Sequence, residues 1–177
     1  MIIKDNTYHE LTHSAHYAAL GSSWYGGFVN AEISEIEQTF LFDNGYLPYG
    51  RGDKAASPVI ALGEGWAYYM GHYLADKTYG FNSSQSDEQD FSPYRLPDHF
   101  HWIPQGLFRD LNDARNEQKA TGGPVDDNVS NFTNQQMFNA FQSSISTLQD
   151  YRVNLIQQNP TNPTTPQVTN LFFQYDY

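Results

Sequence analysis

The stretch NTYHELTHSAHY, residues 6–17, holds the side chains of this chain best suited to metal chemistry. His9 and His13 are four positions apart, so on a helix both imidazoles project from one face and can bind one Zn²⁺. Glu10 lies about 100° around the helix from His9, which keeps it off the metal but within reach of water that the metal activates. The pattern therefore predicts two zinc ligands and a general base, and the alternative is a helix that is merely rich in histidine.

A third histidine, His16, lies on the same stripe of this predicted helix. Seven residues of helix span about 10.5 Å, so one ion cannot bind both His9 and His16. His13 and His16 form a competing pair of candidate ligands. We expect His16 to support the site or the core rather than to bind the metal.

A catalytic zinc ion needs a third protein ligand, and Glu64 in the segment GEGWA is the best candidate. It lies in a strongly apolar helix predicted over residues 58–77, where a carboxylate is costly unless it is paired or bound to a metal. The flanking Gly63 and Gly65 are expected to allow a close approach of the His9 helix. Glu64 follows His13 by 51 residues, which is ample for an antiparallel return.

The segment HELTH followed by a helix with GEGWA resembles the gluzincin metallopeptidases of the thermolysin- and fungalysin-like clan. Later segments are similar, more weakly, to the C-terminal helical half of these enzymes: GLFRDLNDARNE, DDNVSNFTNQQMFNAF and LFFQYDY. The resemblance covers most of residues 5–177 and implies hydrolysis of peptide or protein substrates with Zn²⁺ as the cofactor. It implies His9, His13 and Glu64 as ligands and Glu10 as the base that passes a proton to the leaving amine.

The sequence departs from this family at the position four residues after the third ligand. Family members often have an aspartate there that holds a ligand histidine by its other ring nitrogen, and this chain has Tyr68. Losing such a partner lowers metal affinity or activity by about 10–100-fold. Tyr68 itself could accept a hydrogen bond, or Asp110 or Asp113 could take the role.

A second departure concerns the segment before the first motif. Gluzincins place a sheet there, whereas eight residues precede His9. We therefore expect residues 1–177 to form a single helical, zinc-peptidase-like domain of a longer chain that includes an N-terminal domain. Without one side of its cleft, this chain alone is expected to cleave peptides weakly or not at all.

Several residues could supply the hydrogen-bond donor that stabilises the oxyanion. Tyr94, His99 and His101 are the candidates, and no motif decides among them. His72 would lie two helical turns beyond Glu64, roughly 12 Å away, and is not expected to be a ligand.

Composition narrows the class of protein further. The net charge of −11 argues against nucleic acid as a partner, because phosphate binding needs a basic face. The chain lacks cysteine, so zinc would have to bind His, Asp or Glu, and no segment has the roughly 20 apolar residues of a membrane helix.

An extracellular or cell-envelope location is expected, although the N-terminal residues do not form a signal peptide. The competing interpretation is a non-catalytic, metal-stabilised envelope or secreted binding domain.

The fold class predicted from these patterns is mainly α, a helical bundle resembling the C-terminal subdomain of gluzincins, with little strand. The segment SSWYGGF is expected to be a loop, and AEISEIEQTFLF to be a short helix or strand. A core built largely of aromatic rings is expected, since the chain has 13 Tyr and 12 Phe. The remaining predicted helices cover residues 5–20, 104–118 and 133–158 and the C-terminal segment QVTNLFFQYDY.

Overall fold

The computed structural model describes residues 2–42, 49–80, 102–104, 106–115, 125–160, 165–175 and 177. These residues contain helices and connecting segments and no strand, which confirms the mainly α bundle. In this part of the chain every helix is too short or too polar to span a bilayer. The helices are α1 (Ile2–Leu20), α2 (Ser22–Phe42), α3 (Ser57–Tyr79), α4 (Leu107–Asn112), α5 (Asn134–Asn139), α6 (Leu148–Gln158) and α7 (Thr165–Gln174).

The helices α1 and α3 pack closely at Gly71. A Cβ atom on Gly71 would lie 3.0 Å from the carbonyl oxygen of Asp5 and 3.3 Å from Cβ of His9, so glycine permits this approach. Gly63 and Gly65 were predicted to allow this approach, and that prediction was wrong. Gly63 faces the ring of Phe28 in α2, and Gly65 faces Phe108 in α4.

The segment SSWYGGF is the start of the 21-residue helix α2, so its prediction as a loop was wrong. Trp24, Phe28 and Ala31 are buried at helical spacing against the core. A Cβ atom on Gly26 or Gly27 would have no neighbouring atom of the described residues within 4 Å, so both lie on the open face of the helix. Each costs about 1 kcal/mol relative to alanine, and burial of the large aromatic side chains offsets this cost.

The predicted helix over residues 133–158 is two helices, and the prediction of one was wrong. Thr133 caps α5 with a capping box that involves Gln136, as its position suggested. A second cap, Thr147, accepts a hydrogen bond from the backbone N–H of Asp150 and starts α6. The helix predicted over residues 104–118 is shorter than expected, because Asp113 has extended backbone after α4 ends at Asn112.

Aromatic rings form the centre of the core, as expected. The ring of Trp66 in α3 lies 5.3 Å from that of Phe108 and 5.6 Å from that of Phe141. Phe141 in turn lies 4.8 Å from Tyr151 in α6. Contacts of this kind contribute about 0.5–1.5 kcal/mol each beyond area burial, so α3, which carries Glu64, is held firmly to the C-terminal helices.

Candidate metal centre

His9, His13 and Glu64 converge at the interface of α1 and α3. Nε2 of His9 lies 3.2 Å from Oε2 of Glu64, and Nε2 of His13 lies 3.1 Å from Oε1. The two Nε2 atoms are 3.1 Å apart. All three side chains are largely buried, with His9 9%, His13 6% and Glu64 2% exposed. These are the three ligands predicted from the sequence, and the structure brings them together as the candidate metal group.

These spacings fit a bound metal ion. Two ligands about 2.1 Å from a tetrahedral zinc ion are about 3.4 Å apart, close to the three contacts observed. Two protonated ring nitrogens at 3.1 Å would repel each other, whereas one cation between them would satisfy both nitrogens and the carboxylate. Two imidazoles and one carboxylate are also a ligand set typical of catalytic zinc.

The charge of Glu64 is stabilised by the two histidines. Burial by itself would raise the pKa of Glu64, but hydrogen bonds from His13 and His9 outweigh it and hold the pKa below its usual value. Glu64 is therefore an anion at neutral pH. A buried anion that faces two imidazoles is the electrostatic arrangement that a divalent cation needs.

Glu10 lies at the rim of a cavity of about 280 Å³ that opens onto the three candidate ligands. Its side chain is exposed, and it is outside the group of converging ligand atoms. Glu10 therefore lies beside the candidate ligands without being one of them, and its role as a base stays a prediction.

Glu32 and Tyr49 line the same cavity, and the sequence analysis missed both. Burial, the charge and hydrogen bond of Glu64, and the charge of Glu10 raise the pKa of Glu32 to about 9. The hydroxyl of Tyr49 lies 2.7 Å from that of Tyr68. Burial and then Glu64 raise the pKa of the Tyr49 phenol well above its usual value, so it is a neutral donor.

The departure at Tyr68 has a partial explanation. The ring of Tyr68 packs edge-on against His9 at a centroid distance of 4.6 Å, and its hydroxyl pairs with Tyr49. Nδ1 of His13 is buried, and no aspartate in the described part of the chain hydrogen-bonds it. Asp110 accepts a hydrogen bond from the hydroxyl of Tyr175, and it does not line the cavity.

His16 is fully buried beside the candidate metal group. Its ring lies 5.5 Å from Trp24 and 5.2 Å from Phe141, and neither ring nitrogen has a hydrogen-bond partner in the described part of the protein. Burial, with a smaller contribution from the charge of His13, lowers the pKa of His16 from 6.5 to about 3. His16 belongs to the aromatic core and is outside the candidate ligand group, in line with the expectation from its spacing.

The variant His16→Leu is expected to be more stable than the wild type, and more so at pH 5 than at pH 8. Leucine removes two unsatisfied nitrogens, which cost about 1–3 kcal/mol when buried. In the unfolded chain His16 becomes protonated below its ordinary pKa of 6.5, whereas in the folded chain it becomes protonated only near pH 3. Protonation therefore favours the unfolded state, and the free energy of unfolding of the wild type falls as the pH decreases through 6.5. The difference between pH 8 and pH 5 is expected to be about 2 kcal/mol.

Urea unfolding of both proteins at the two pH values, with a chelator present, measures this difference. The other histidines are common to both proteins and largely cancel in the comparison. An equal change in the free energy of unfolding at pH 5 and pH 8 would mean that His16 is hydrated or protonated in the folded state.

Among the described residues, the others that the sequence suggested for the site do not belong to the candidate metal group. Tyr94, His99 and His101, the candidate oxyanion donors, lie outside the described residues. His72 is half-buried on α3 and is outside the converging group, as expected. Asp113 is half-buried after the end of α4 and does not line the cavity.

Comparisons with protein-family models, with curated proteins and with solved structures give no match for this chain.

Proposed function

We propose that this chain is a zinc-dependent, gluzincin-like peptidase domain that hydrolyses peptide bonds. The observation that carries the proposal is the convergence of His9, His13 and Glu64, with contacts of 3.1–3.2 Å between their ligand atoms. Glu10 is beside them at the mouth of a cavity large enough for a substrate side chain. A metal-dependent hydrolase needs protein ligands that hold the ion and a nearby carboxylate that can act as a general base, and this site has three candidate ligands and Glu10.

Zinc held by His9, His13 and Glu64 would act as a Lewis acid on water and on the scissile carbonyl. Glu10, exposed at the rim, accepts the proton that water loses on attack and returns it to the leaving amine. Tyr49 presents a neutral hydroxyl to the same cavity and is the described donor best placed to stabilise the oxyanion.

The alternative is a non-catalytic domain in which the metal only stabilises the fold. Its support is that the candidate ligands come from two helices, His9 and His13 from α1 and Glu64 from α3, so an ion would tie these helices together. Nδ1 of His13 has no hydrogen-bond partner among the residues that the structure describes, which also favours this alternative, because the second ring nitrogen of a ligand histidine is usually hydrogen-bonded.

Metal analysis and a peptidase assay on the purified protein test both interpretations. We expect about one zinc ion per chain, and weak hydrolysis of casein that a chelator abolishes and added zinc restores. Removal of zinc is also expected to lower the melting temperature, since the ion binds only the folded chain. A chain that binds no zinc contradicts both interpretations. A zinc-bound chain that leaves casein and short peptides intact would favour the stabilised binding domain.

A further inference from the structure

Tyr49 reaches the cavity beside the candidate metal from residues 49–56, a segment that leads into α3 and is not helical. A hydrogen-bond donor stabilises a developing oxyanion best when its position is fixed before the reaction, because no reorganisation is then needed. The backbone of such a segment lacks the hydrogen bonds that fix a helix, so other contacts have to hold Tyr49. The described residues supply two attachments, one at its hydroxyl and one at the backbone that follows it.

The first attachment is at the phenol itself. The Tyr49 hydroxyl lies 2.7 Å from the hydroxyl of Tyr68, and the two rings meet edge-on with their centroids 6.0 Å apart. Tyr68 is on α3, one turn after Glu64, and its ring packs edge-on against that of His9. Tyr68 therefore joins the Tyr49 hydroxyl to the pair of helices that carries the candidate ligands. It does not line the cavity, so it acts on the chemistry only through its neighbours.

The second attachment is a carboxylate that binds the backbone after Tyr49. Glu35 of α2 is 1% exposed and accepts hydrogen bonds from the backbone N–H groups of Arg51 at 3.1 Å and Lys54 at 3.3 Å. It also accepts a hydrogen bond from the hydroxyl of Ser57, at the start of α3. Hydrogen bonds to a carboxylate are roughly twice as strong as those between neutral groups, so one buried side chain holds this segment against α2.

Close packing adds to this attachment. Gly50 has a left-handed backbone with a φ of 67°, and a Cβ atom there would collide with Glu35. The ring of Trp102 covers Gly52, and its Nε1 donates a hydrogen bond of 3.3 Å to the carbonyl oxygen of Gly50. Glu35 does not line the cavity, so its influence on the site passes through the segment that carries Tyr49.

Resting on the proposed function, we infer that Tyr68 and Glu35 are positioning residues, which fix the hydroxyl of Tyr49 where it donates a hydrogen bond to the oxyanion. Tyr68 orients this hydroxyl directly, and Glu35 holds the backbone that carries it. Tyr49 keeps its proton throughout, and Glu10 remains the base. The departure from the gluzincin pattern at Tyr68 then has a use, because the residue at this position orients a donor in place of a ligand histidine.

A double-mutant cycle tests the inference. Tyr68→Phe and Glu35→Gln are each made in the wild type and in Tyr49→Phe, and peptide hydrolysis by the zinc-loaded proteins is measured. In the wild type we expect each change to lower kcat by about tenfold or more with little change in KM, because a misplaced donor is lost in the transition state. In Tyr49→Phe the same changes should lower kcat by less than about twofold, because the hydroxyl that they position is already absent.

Tyr69→Phe is the matched control for Tyr68→Phe. Tyr69 is the next residue of α3, and its hydroxyl donates a hydrogen bond of 2.6 Å to Oδ1 of Asn134. It does not line the cavity, so Tyr69→Phe removes a similar phenol hydrogen bond and should keep the kcat of the wild type.

Each positioning residue is judged by its own cycle. A loss of kcat that is equal with and without the Tyr49 hydroxyl would show that the residue only supports the fold, and it would overturn its assignment. So would an unchanged kcat in the wild type. Circular dichroism checks that the variants are folded. If Glu35→Gln is unfolded, Ser57→Ala takes its place in the cycle, since it removes one of the donors to Glu35 and leaves the carboxylate in place.

A fluorine label separates failure of the inference from failure of the proposed function. With Tyr49 replaced by 3-fluorotyrosine, the change in the fluorine NMR shift between H2O and D2O reports the exposure of the ring to solvent, and it needs no activity. In Tyr68→Phe and Glu35→Gln this change should increase toward that of the unfolded chain, whereas Tyr69→Phe should leave it unaltered. If no peptide is cleaved, the proposed function fails, and increased exposure of the ring still supports the positioning of Tyr49. A ring that is equally exposed in all four proteins overturns it.

Discussion

Replacement of Glu64 by glutamine is expected to lower the affinity of the chain for zinc by more than about 100-fold while the helices stay folded. Glu64 is the carboxylate that contacts both His9 and His13, and it is 2% exposed, so water has little access to replace its oxygen atoms. Glutamine has nearly the same shape but offers a neutral carbonyl. The variant would therefore lose both a strong ligand and the charge that balances the cation.

Competition with a chromophoric chelator measures the zinc affinity, and circular dichroism measures the helix content. The matched control is Glu37→Gln, which removes a negative charge from an exposed position of α2 and should bind zinc like the wild type. Equal zinc content in Glu64→Gln and wild type would exclude Glu64 as a ligand, whatever the activity of either protein.

A second measurement on the same variants separates binding at this site from adventitious binding. An ion held by His9 and His13 of α1 and Glu64 of α3 binds the folded chain only, so zinc at 100 times its Kd should stabilise the wild type by about 2.7 kcal/mol. Glu64→Gln should show little of this stabilisation. Surface histidines would bind zinc in both proteins and would not distinguish them.

Local geometry explains why the sequence alone could identify this group. The relation of His9, Glu10 and His13 is fixed by helical periodicity, so it requires only that residues 2–20 are helical, as they are. Glu64 could be identified because it is a charged residue in an apolar helix, and such a residue needs a partner. The two helices can then pack against each other because Glu64 follows His13 by 51 residues, which is long enough for the chain to return.

Tertiary packing explains why Glu32 was missed. Its segment follows GSSWYGGF, where three glycines and three aromatic residues are typical of a loop. The spacing of Trp24, Phe28 and Ala31, which are buried, was the opposing signal. Once α2 is a helix, Glu32 lies one position after Ala31 and reaches the cavity. A glutamate at the edge of an amphipathic helix is ordinarily exposed, and only the position of α3 makes this one part of the site.

The break between α5 and α6 was missed for a different reason. Apolar residues continue at helical spacing through Phe141, Ile145 and Leu148, because all three pack into the same core. The pattern Thr147-x-x-Asp150 is a cap, and it was the local signal that a new helix begins. The backbone carbonyl of Ile145 accepts a hydrogen bond from Nε1 of Trp24, which is compatible with an interrupted helix.

Replacement of Glu10 by alanine is expected to reduce kcat/KM for peptide hydrolysis by about 10²–10⁴-fold without changing the zinc content. Glu10 is exposed at the rim of the cavity and is outside the group of converging ligand atoms, so its loss should leave the metal in place. The isosteric Glu10→Gln should lose activity to a similar degree, because the proton acceptor is removed in both. Retained zinc with lost activity is the combination that identifies a base rather than a ligand.

Ser14→Ala is the matched control for Glu10→Ala. Ser14 lies one turn further along the same exposed face of α1, and its hydroxyl donates a hydrogen bond to the backbone carbonyl oxygen of Glu10. Its side chain has no carboxyl group, so it cannot act as the base. Its activity and zinc content should equal those of the wild type. Hydrolysis that persists in Glu10→Ala at the wild-type rate would come from a contaminating peptidase or from another base. Zinc that is lost together with activity would place Glu10 among the ligands and would leave the site without the proton acceptor that peptide hydrolysis requires.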